Sequence, residues 1–275
     1  MRRSLIAMTA VAVFCLCRSA HAGMIGINFD GSTVLIDEAT GTFSPLGPTG
    51  FGSTNSLAAS AGGVLYTATA LLAPLENVLL TIDPLTGAGT TLATLDFGGA
   101  LVDIRAMAVR PSDDALFAIS AGGTIFTFDT NLYRINPATG IGTFIAFPGS
   151  FGVQGLDFSP GGVLYGWSIF IGLVTIDQAT GAIADVNPLD DGGLLQSIAF
   201  SPTGGLYGAS IGQLFTIDLA TGIETPLGPG GFSSLRGIEF VPTATVPGPA
   251  TVTLVGFGLA ATALRARLRR RGQQV

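Results

Sequence analysis

One short phrase recurs five times along this chain, and it limits the fold more than any other feature. The phrase is an isoleucine, Asp or Asn, two further residues, and Thr-Gly. Its copies are Ile36-Asp37 to Thr40-Gly41, Ile82-Asp83 to Thr86-Gly87, Ile135-Asn136 to Thr139-Gly140, Ile176-Asp177 to Thr180-Gly181 and Ile217-Asp218 to Thr221-Gly222. The glycines lie 46, 53, 41 and 41 residues apart. A repeat of 40 to 50 residues built from short strands points to a propeller or an array of repeats.

Each unit reads as four strands, and residues 154–189 show the pattern most clearly. Gly155 to Ser159 forms a first strand, ended by a Pro160-Gly161-Gly162 turn. Val163 to Gly166 forms the second, Leu173 to Asp177 the third, and Ile183 to Val186 the fourth. Apolar and β-branched runs bounded by Gly and Pro turns are a strand signature, and the density of Gly and Pro leaves no room for long helices. The strand count then implies closure. The first unit starts at Met24-Ile25-Gly26, which matches Leu164-Tyr165-Gly166, so it lacks its first strand. The last unit is followed by an orphan first strand, Gly237 to Val241. Pairing the orphan with the first unit completes five four-stranded blades and removes the open edges. The expected fold is all-β: a five-bladed β-propeller over 23–242.

The turn phrase has a local explanation. Asp or Asn bonds the backbone two residues on, Pro84 or Pro137 fixes φ, and glycine accepts a left-handed conformation. Calcium binding by Asp37, Asp83, Asp177 and Asp218 is the competing reading. It would need six or more converging oxygens, whereas each turn offers one carboxylate. The hairpin-turn reading is therefore taken, and no metal or cofactor is expected.

Aligning the first strands brings out a second recurrence. Asn55, Arg105, Gln154, Gln196 and Arg236 share one position. A small residue always follows: Ser56, Ala106, Gly155, Ser197 and Gly237. If first strands line the channel, the five polar side chains form a ring at one mouth, suited to a polar ligand such as a sugar or carboxylate. The bland alternative is that they satisfy backbone groups where each strand starts. Two acids interrupt the same strands, since Asp157 and Glu239 stand where other blades have Ala58, Ala108 and Ala199. A carboxyl pair facing a channel could serve as acid and base, as in glycoside hydrolysis, or could pair with Arg105 or Arg236. Trp167, the single tryptophan, is read as core or loop packing rather than a sugar platform. The loops at 71–77 and 127–131 account for the longer spacings and are the segments freest to vary.

Charge narrows the partners. There is no lysine, and eight of the twelve arginines fall in the two ends of the chain. The body keeps Arg105, Arg110, Arg134 and Arg236 against all eighteen acids, a net charge of −14. Such a body repels phosphate backbones, so nucleic acid is not an expected partner. Both cysteines and the one histidine lie within the first 22 residues. The body beyond them has no material for a zinc site or a His-based triad.

The ends read as addresses. Met1-Arg2-Arg3, an apolar run from Ser4 to Leu16 and Ala20-His21-Ala22 form a signal peptide over 1–22, with a signal helix and cleavage before Gly23. At the other end come a linker over 243–249, an apolar stretch over 250–266 long enough to span a bilayer as one transmembrane helix, and a basic cytoplasmic tail over 267–275. The motif Val246-Pro247-Gly248-Pro249-Ala250-Thr251, the apolar helix and the arginine cluster together resemble the PEP-CTERM sorting signal of Gram-negative bacteria. Gly248 stands where that family has Glu. The resemblance implies a membrane processing enzyme of the exosortase class, passage from the inner membrane to the envelope or outside, and a host that makes exopolysaccharide. These readings lead to an exported propeller that is not an enzyme and serves as a binding or matrix module, with exopolysaccharide or another envelope polymer as its partner. The alternative is an extracellular propeller lyase or glycosidase using Asp157 and Glu239.

Overall fold

A computed structural model of the protein describes residues 23–70, 77–100, 102–121, 128–188 and 192–241. The signal peptide, the sorting motif, the apolar stretch, the basic tail and most of the 71–77 loop lie outside the described residues. Among the described residues no helix is long and apolar enough to cross a membrane.

The chain forms twenty strands in five antiparallel sheets of four. The first three are β1 (Gly23–Asn28), β2 (Ser32–Ile36) and β3 (Phe43–Pro48). Blade two holds β4 (Thr54–Ala59), β5 (Leu65–Thr69), β6 (Val78–Ile82) and β7 (Gly89–Thr94). Blade three holds β8 (Asp103–Arg110), β9 (Ala115–Ala121), β10 (Thr130–Ile135) and β11 (Gly142–Gly149). Blade four holds β12 (Val153–Phe158), β13 (Leu164–Ser168), β14 (Gly172–Ile176) and β15 (Ile183–Asp185). Blade five holds β16 (Ser197–Phe200), β17 (Leu206–Ala209), β18 (Leu214–Ile217) and β19 (Glu224–Leu227).

The last strand, β20 (Leu235–Val241), returns to pair with β1, where Ile25 faces Glu239 and Met24 faces Phe240. Blade one is thus completed by the C-terminal strand, as the strand count requires, and β4, β8, β12, β16 and β20 pack side by side in a closed ring around the axis. Closure leaves no blade with an unmatched face.

The apolar core lies between blades rather than in one centre. Five clusters fill the five junctions; the one between blades three and four gathers Phe117, Ile119, Val153, Leu156, Phe158 and Leu164. An aromatic step repeats around the ring: Phe117 packs on Phe158, Tyr165 on Phe200 and Tyr207 on Phe240, with ring centroids 5.5, 5.2 and 5.4 Å apart. In each, a second-strand ring wedges against the first strand of the next blade, at spacings typical of favourable aromatic pairs.

The repeated phrase is the hairpin between third and fourth strands. Asp177 Oδ1 accepts the N–H groups of Ala179 and Thr180, Asp218 Oδ1 those of Ala220 and Thr221, and Asp37 Oδ1 those of Ala39 and Thr40. These bonds hold the Asp177 and Asp218 carboxyls below the usual range. The closing glycine of each copy has φ between 66° and 74°. The carboxylates are committed to their own turns.

Candidate functional site

The five first strands begin at one end of the channel, and there the structure places the polar ring. Arg105, Gln154 and Arg236 are each the extra residue of a β-bulge, at the register shifts between Ile104 and Ala106, between Val153 and Gly155, and opposite the step from Ile27 to Asn28. A bulge turns a side chain out of the regular alternation and re-aims it. In blade two the bulge falls one residue later, on Ser56, whose φ is 63°, so Asn55 stays paired with Ala68 and is buried. Gln196 precedes β16 and donates its N–H to Ala209 O.

The small residue after each ring position is forced by close approach of the neighbouring strand. A Cβ on Gly155 would stand 2.8 Å from Ile198 N, and one on Gly237 would stand 2.6 Å from the Ser56 carbonyl carbon. Ser197 uses the same proximity differently, since its Oγ accepts the Ile238 N–H at 3.1 Å.

Three members of the ring, Arg105, Gln196 and Arg236, come together with two residues absent from it, Asp103 and Phe29. Arg236 Nη1 donates to Gln196 Oε1, and its guanidinium lies 5.0 Å from the centre of the Phe29 ring. Arg105 forms an ion pair with Asp103 at 2.8 Å. Burial first, and then repulsion from Arg105, lower the Arg236 pKa, while Asp103 raises it. The Arg236 Nε is buried with no hydrogen-bond partner among the described residues. Asn55 and Gln154 hold the equivalent places on β4 and β12, but no described contact ties their side chains to the arginines. Asp103 and Phe29 were missed in the sequence. Asp103 falls two places before the aligned position, and Phe29 lies on the β1–β2 hairpin loop, at the other end of the chain from Arg236.

The two acids lie farther along the same strands, three residues past the ring position, or about 10 Å at a strand's rise. They border a cavity of about 250 Å³ at the other end of the channel, together with Ser60, Pro111, Pro160 and Ser201. Asp157 accepts the Phe158 N–H at 2.7 Å and, across the blade junction, the Phe200 N–H at 2.5 Å. Glu239 accepts the Phe240 N–H at 2.8 Å and also bonds the Ala59 N–H of the next blade. Innermost strands have one unpaired edge, and these two carboxyls satisfy four N–H groups on it. Burial pushes Asp157 up to about 7, against the Phe200 and Phe158 bonds that pull it down. Glu239 is pushed well above its usual value, by burial first and then by the charge of Asp157. The pair joins neither Arg105 nor Arg236 in any described contact; its members clasp β12 to β16 and β20 to β4.

Trp167 is fully buried, packed on Leu173, Leu195 and Ile198, and its Nε1 donates to Gly193 O at 2.9 Å. It is a core residue and not a surface platform.

The fold seen here is shared with solved structures of low sequence identity. A gluconolactonase of Xanthomonas campestris is 16% identical over 76% of this chain and 78% of its own, with a TM-score of 0.51. A chain of a nidogen/laminin complex is 13% identical over 80% and 99%, with a TM-score of 0.55. A second structure carrying the gluconolactonase designation is 13% identical over 78% and 87%, with a TM-score of 0.50. No protein-family model and no curated protein matches the sequence. These similarities show the fold alone, a β-propeller, to which the five sheets described above give five blades. They also correct one expectation: the absence of an enzyme does not follow from the sequence. Gluconolactonases are enzymes built on this fold. A missing His, Cys or Lys removes triads and zinc sites but not the carboxyl and arginine chemistry that a propeller channel can hold.

Proposed function

We propose that this is an exported propeller that captures a polar, hydroxylated ligand of the cell envelope at the channel end bearing Arg105, Gln196 and Arg236. One observation carries this reading. Two of the four arginines in a body of net charge −14 converge with an amide and an aromatic ring at one end of the channel. The other two are engaged elsewhere: Arg110 is held in a two-pronged pair with Asp113, and Arg134 lies 4.0 Å from that same acid. Export rests on the signal-peptide pattern, and envelope sorting on the resemblance to PEP-CTERM tails. An exosortase-class enzyme would cut near Pro247, and an envelope polysaccharide would be the ligand.

The test is retention of the full chain, in mild detergent, on immobilised envelope polysaccharide, beside an Arg105→Gln, Arg236→Gln double variant. Loss of retention in the variant supports the reading; equal retention of both proteins refutes it. Export is tested separately by intact mass. A species running from Gly23 to near Pro247–Thr251 outside the inner membrane supports sorting, and a species keeping Arg265 to Val275 only in the inner membrane overturns it.

A second reading, turnover of the ligand, is favoured by the gluconolactonases that share the fold. Sugar-lactone hydrolysis by the full chain at the uncatalysed rate would remove the lactonase form of it. Asp157 and Glu239 are poor candidates for a reacting pair, because their oxygens already serve backbone N–H groups.

A further inference from the structure

We infer that a groove on blade three, at the face opposite the arginine end, is a second binding site, and that a neutral sugar unit is the chemical class it takes. This site is independent of the mouth described above. The groove has a volume of about 490 Å³, within the range of small-ligand sites, and lies between the β8–β9 turn and the β10–β11 hairpin. Its walls include Asp114, Arg134, Asn136, Ile141 and Thr143.

The propeller supplies its own control. Blade four has the same groove between the same two turns, with a volume of about 440 Å³. It carries Gly162, Thr175, Ala182 and Ala184 where blade three has Asp114, Arg134, Ile141 and Thr143. Threonine also fills the Arg134 position in blades two and five, as Thr81 and Thr216. Two places before the first leucine of the second strand stand Gly63, Gly162 and Gly204 in blades two, four and five, at φ of 83°, 81° and 90°. In blade three that place belongs to Asp114, at φ of 55°. Glycine adopts this conformation freely, whereas a side chain makes it costly. Blade three thus gives up the unstrained residue and adds a cation in the same groove, where the other blades show that folding asks for neither.

Arg110 explains why Arg134 is available. In blades two, four and five a serine caps this turn, with the Oγ of Ser60, Ser159 or Ser201 accepting a backbone N–H. Arg110 stands in that place in blade three. Its guanidinium grips both oxygens of Asp113 and reaches Gln178 on blade four, and Asp113 accepts the Ala115 N–H in the serine's stead. Both Asp113 oxygens are then taken, and Arg134 comes only to 4.0 Å of one of them. Among the described residues Arg134 makes no hydrogen bond, and neither Asn136 Nδ2 nor the Thr143 hydroxyl has a partner. Asp114 Oδ1 accepts the Ala61 N–H from blade two, which leaves its Oδ2 open.

These groups suit adjacent hydroxyls on a ring. Such hydroxyls accept from the guanidinium and donate to the carboxylate, and charge-assisted bonds of this kind are the stronger ones. The exposed Ile141 side chain offers an apolar wall to the C–H face of the same ring. Charge selects against other ligands. Arg110 and Arg134 balance Asp113 and Asp114, so the groove holds no net charge to draw in an acid or an amine. The body's net charge of −14 also repels an acid from a distance.

The experiment measures saturation transfer by NMR from the full chain, in a detergent without a sugar headgroup, to glucose, galactose, mannose, glucuronate and glucosamine. At least one of the three neutral sugars should bind with a Kd of about 1–10 mM, and more tightly than either charged one. Arg134→Thr and Asp114→Gly each restore the residue of the other blades, so the fold is kept. Together they should weaken that binding by about tenfold or more, the loss expected from one hydrogen bond to a charged group. The Arg105→Gln, Arg236→Gln protein should bind as the native protein does. Loss of neutral-sugar binding in that protein, with normal binding in the Arg134→Thr, Asp114→Gly protein, would overturn the groove and keep the mouth. Tighter binding of glucuronate or glucosamine than of every neutral sugar, abolished by Arg134→Thr with Asp114→Gly, would keep the site and overturn the ligand class. No neutral sugar bound even at tens of millimolar would overturn the inference, while the polysaccharide retention above still decides the mouth.

Discussion

The buried carboxyls of Asp157 and Glu239 should make this propeller lose stability as the pH rises through neutrality, the reverse of what paired surface acids do. Asp157 goes from an ordinary 3.8 in the unfolded chain to about 7 in the fold. A group whose folded pKa is raised stabilises fully below its unfolded value, where both states carry the proton. Its contribution is lost as the pH climbs through the folded value. At about 1.4 kcal/mol per pH unit, a shift of roughly three units amounts to about 4 kcal/mol lost between about pH 4 and pH 8. Glu239 acts in the same direction and is coupled to Asp157, so the two contributions do not add as independent terms. Opposing them, Asp30, Asp113, Asp177 and Asp218 are held below their usual range and withdraw stability on acidification below about pH 4. Stability should therefore peak at about pH 4 to 5.

The assay is the urea midpoint of the full chain at steps from about pH 4.5 to 8.5, for the native protein and for Asp157→Asn. The variant cannot ionise, so its midpoint should vary less with pH. It should start lower at acid pH by about 1 kcal/mol, because an amide accepts one backbone N–H where the carboxyl accepts two. A native midpoint that stays flat or rises across this range would refute the argument. So would an Asp157→Asn slope equal to that of the native protein.

Further expectations follow from packing. Gly237→Ala would place a methyl 2.6 Å from the backbone of Ser56 and 2.7 Å from Leu57 N. It should destabilise by at least about 1–3 kcal/mol, and an unchanged thermal midpoint would show that β20 and β4 are not so close. Gly140→Ala combines a φ of 73° with a Cβ 2.1 Å from Thr94 O, so it should cost more than Gly98→Ala, which meets nothing within 4 Å at the same φ. Trp167→Phe removes the bond to Gly193 and part of a fully buried ring, a loss of about 2 kcal/mol in denaturant unfolding. Removing 235–241 takes the inner strand from blade one. Cooperative unfolding should disappear rather than shift, and a sharp transition in the truncated chain would contradict closure by β20.

Blade number, strand order and closure were legible because they rest on local chemistry repeated five times. An Asp or Asn that caps its own turn and a glycine at φ near 70° are dictated within six residues, so each copy announces its hairpin independently. The alternation of polar, small and apolar residues on the first strands was legible as a pattern, but its causes were not. Gly155 and Gly237 are small because a neighbouring blade's backbone lies against them, and that contact joins residues about 40 or 180 apart in the chain. The bulges that aim Arg105, Gln154 and Arg236 depend on pairing register, which no single strand encodes. Asp157 and Glu239 were legible as departures from alanine. Their role was not, because the N–H groups they bind belong to Phe200 and Ala59 on other blades. Reasoning from missing residue types failed outright for catalysis, since absence of histidine limits mechanisms and not the capacity of a fold.

Those departures share a physical logic. On the second and third strands of each blade, buried side chains are fixed by the wedge against the neighbouring blades. The inner edge of the first strand, like the exposed outer strands β3 and β7, carries no such wedge, so it can change without disturbing the ring. It varies at two levels about 10 Å apart. At one, bulges free the side chains of Arg105, Gln154 and Arg236 from the sheet, while Asn55 stays paired with Ala68. At the other, the chain runs back under the core. There alanine is the default, and an acid is accepted where it can bridge two inner strands. The arginines stand at the level of the bulges, and the protonatable acids at the level where the backbone has unmet donors. The segregation follows from backbone pairing, since bulges turn side chains out of the sheet at one level and unpaired N–H groups hold the carboxyls at the other.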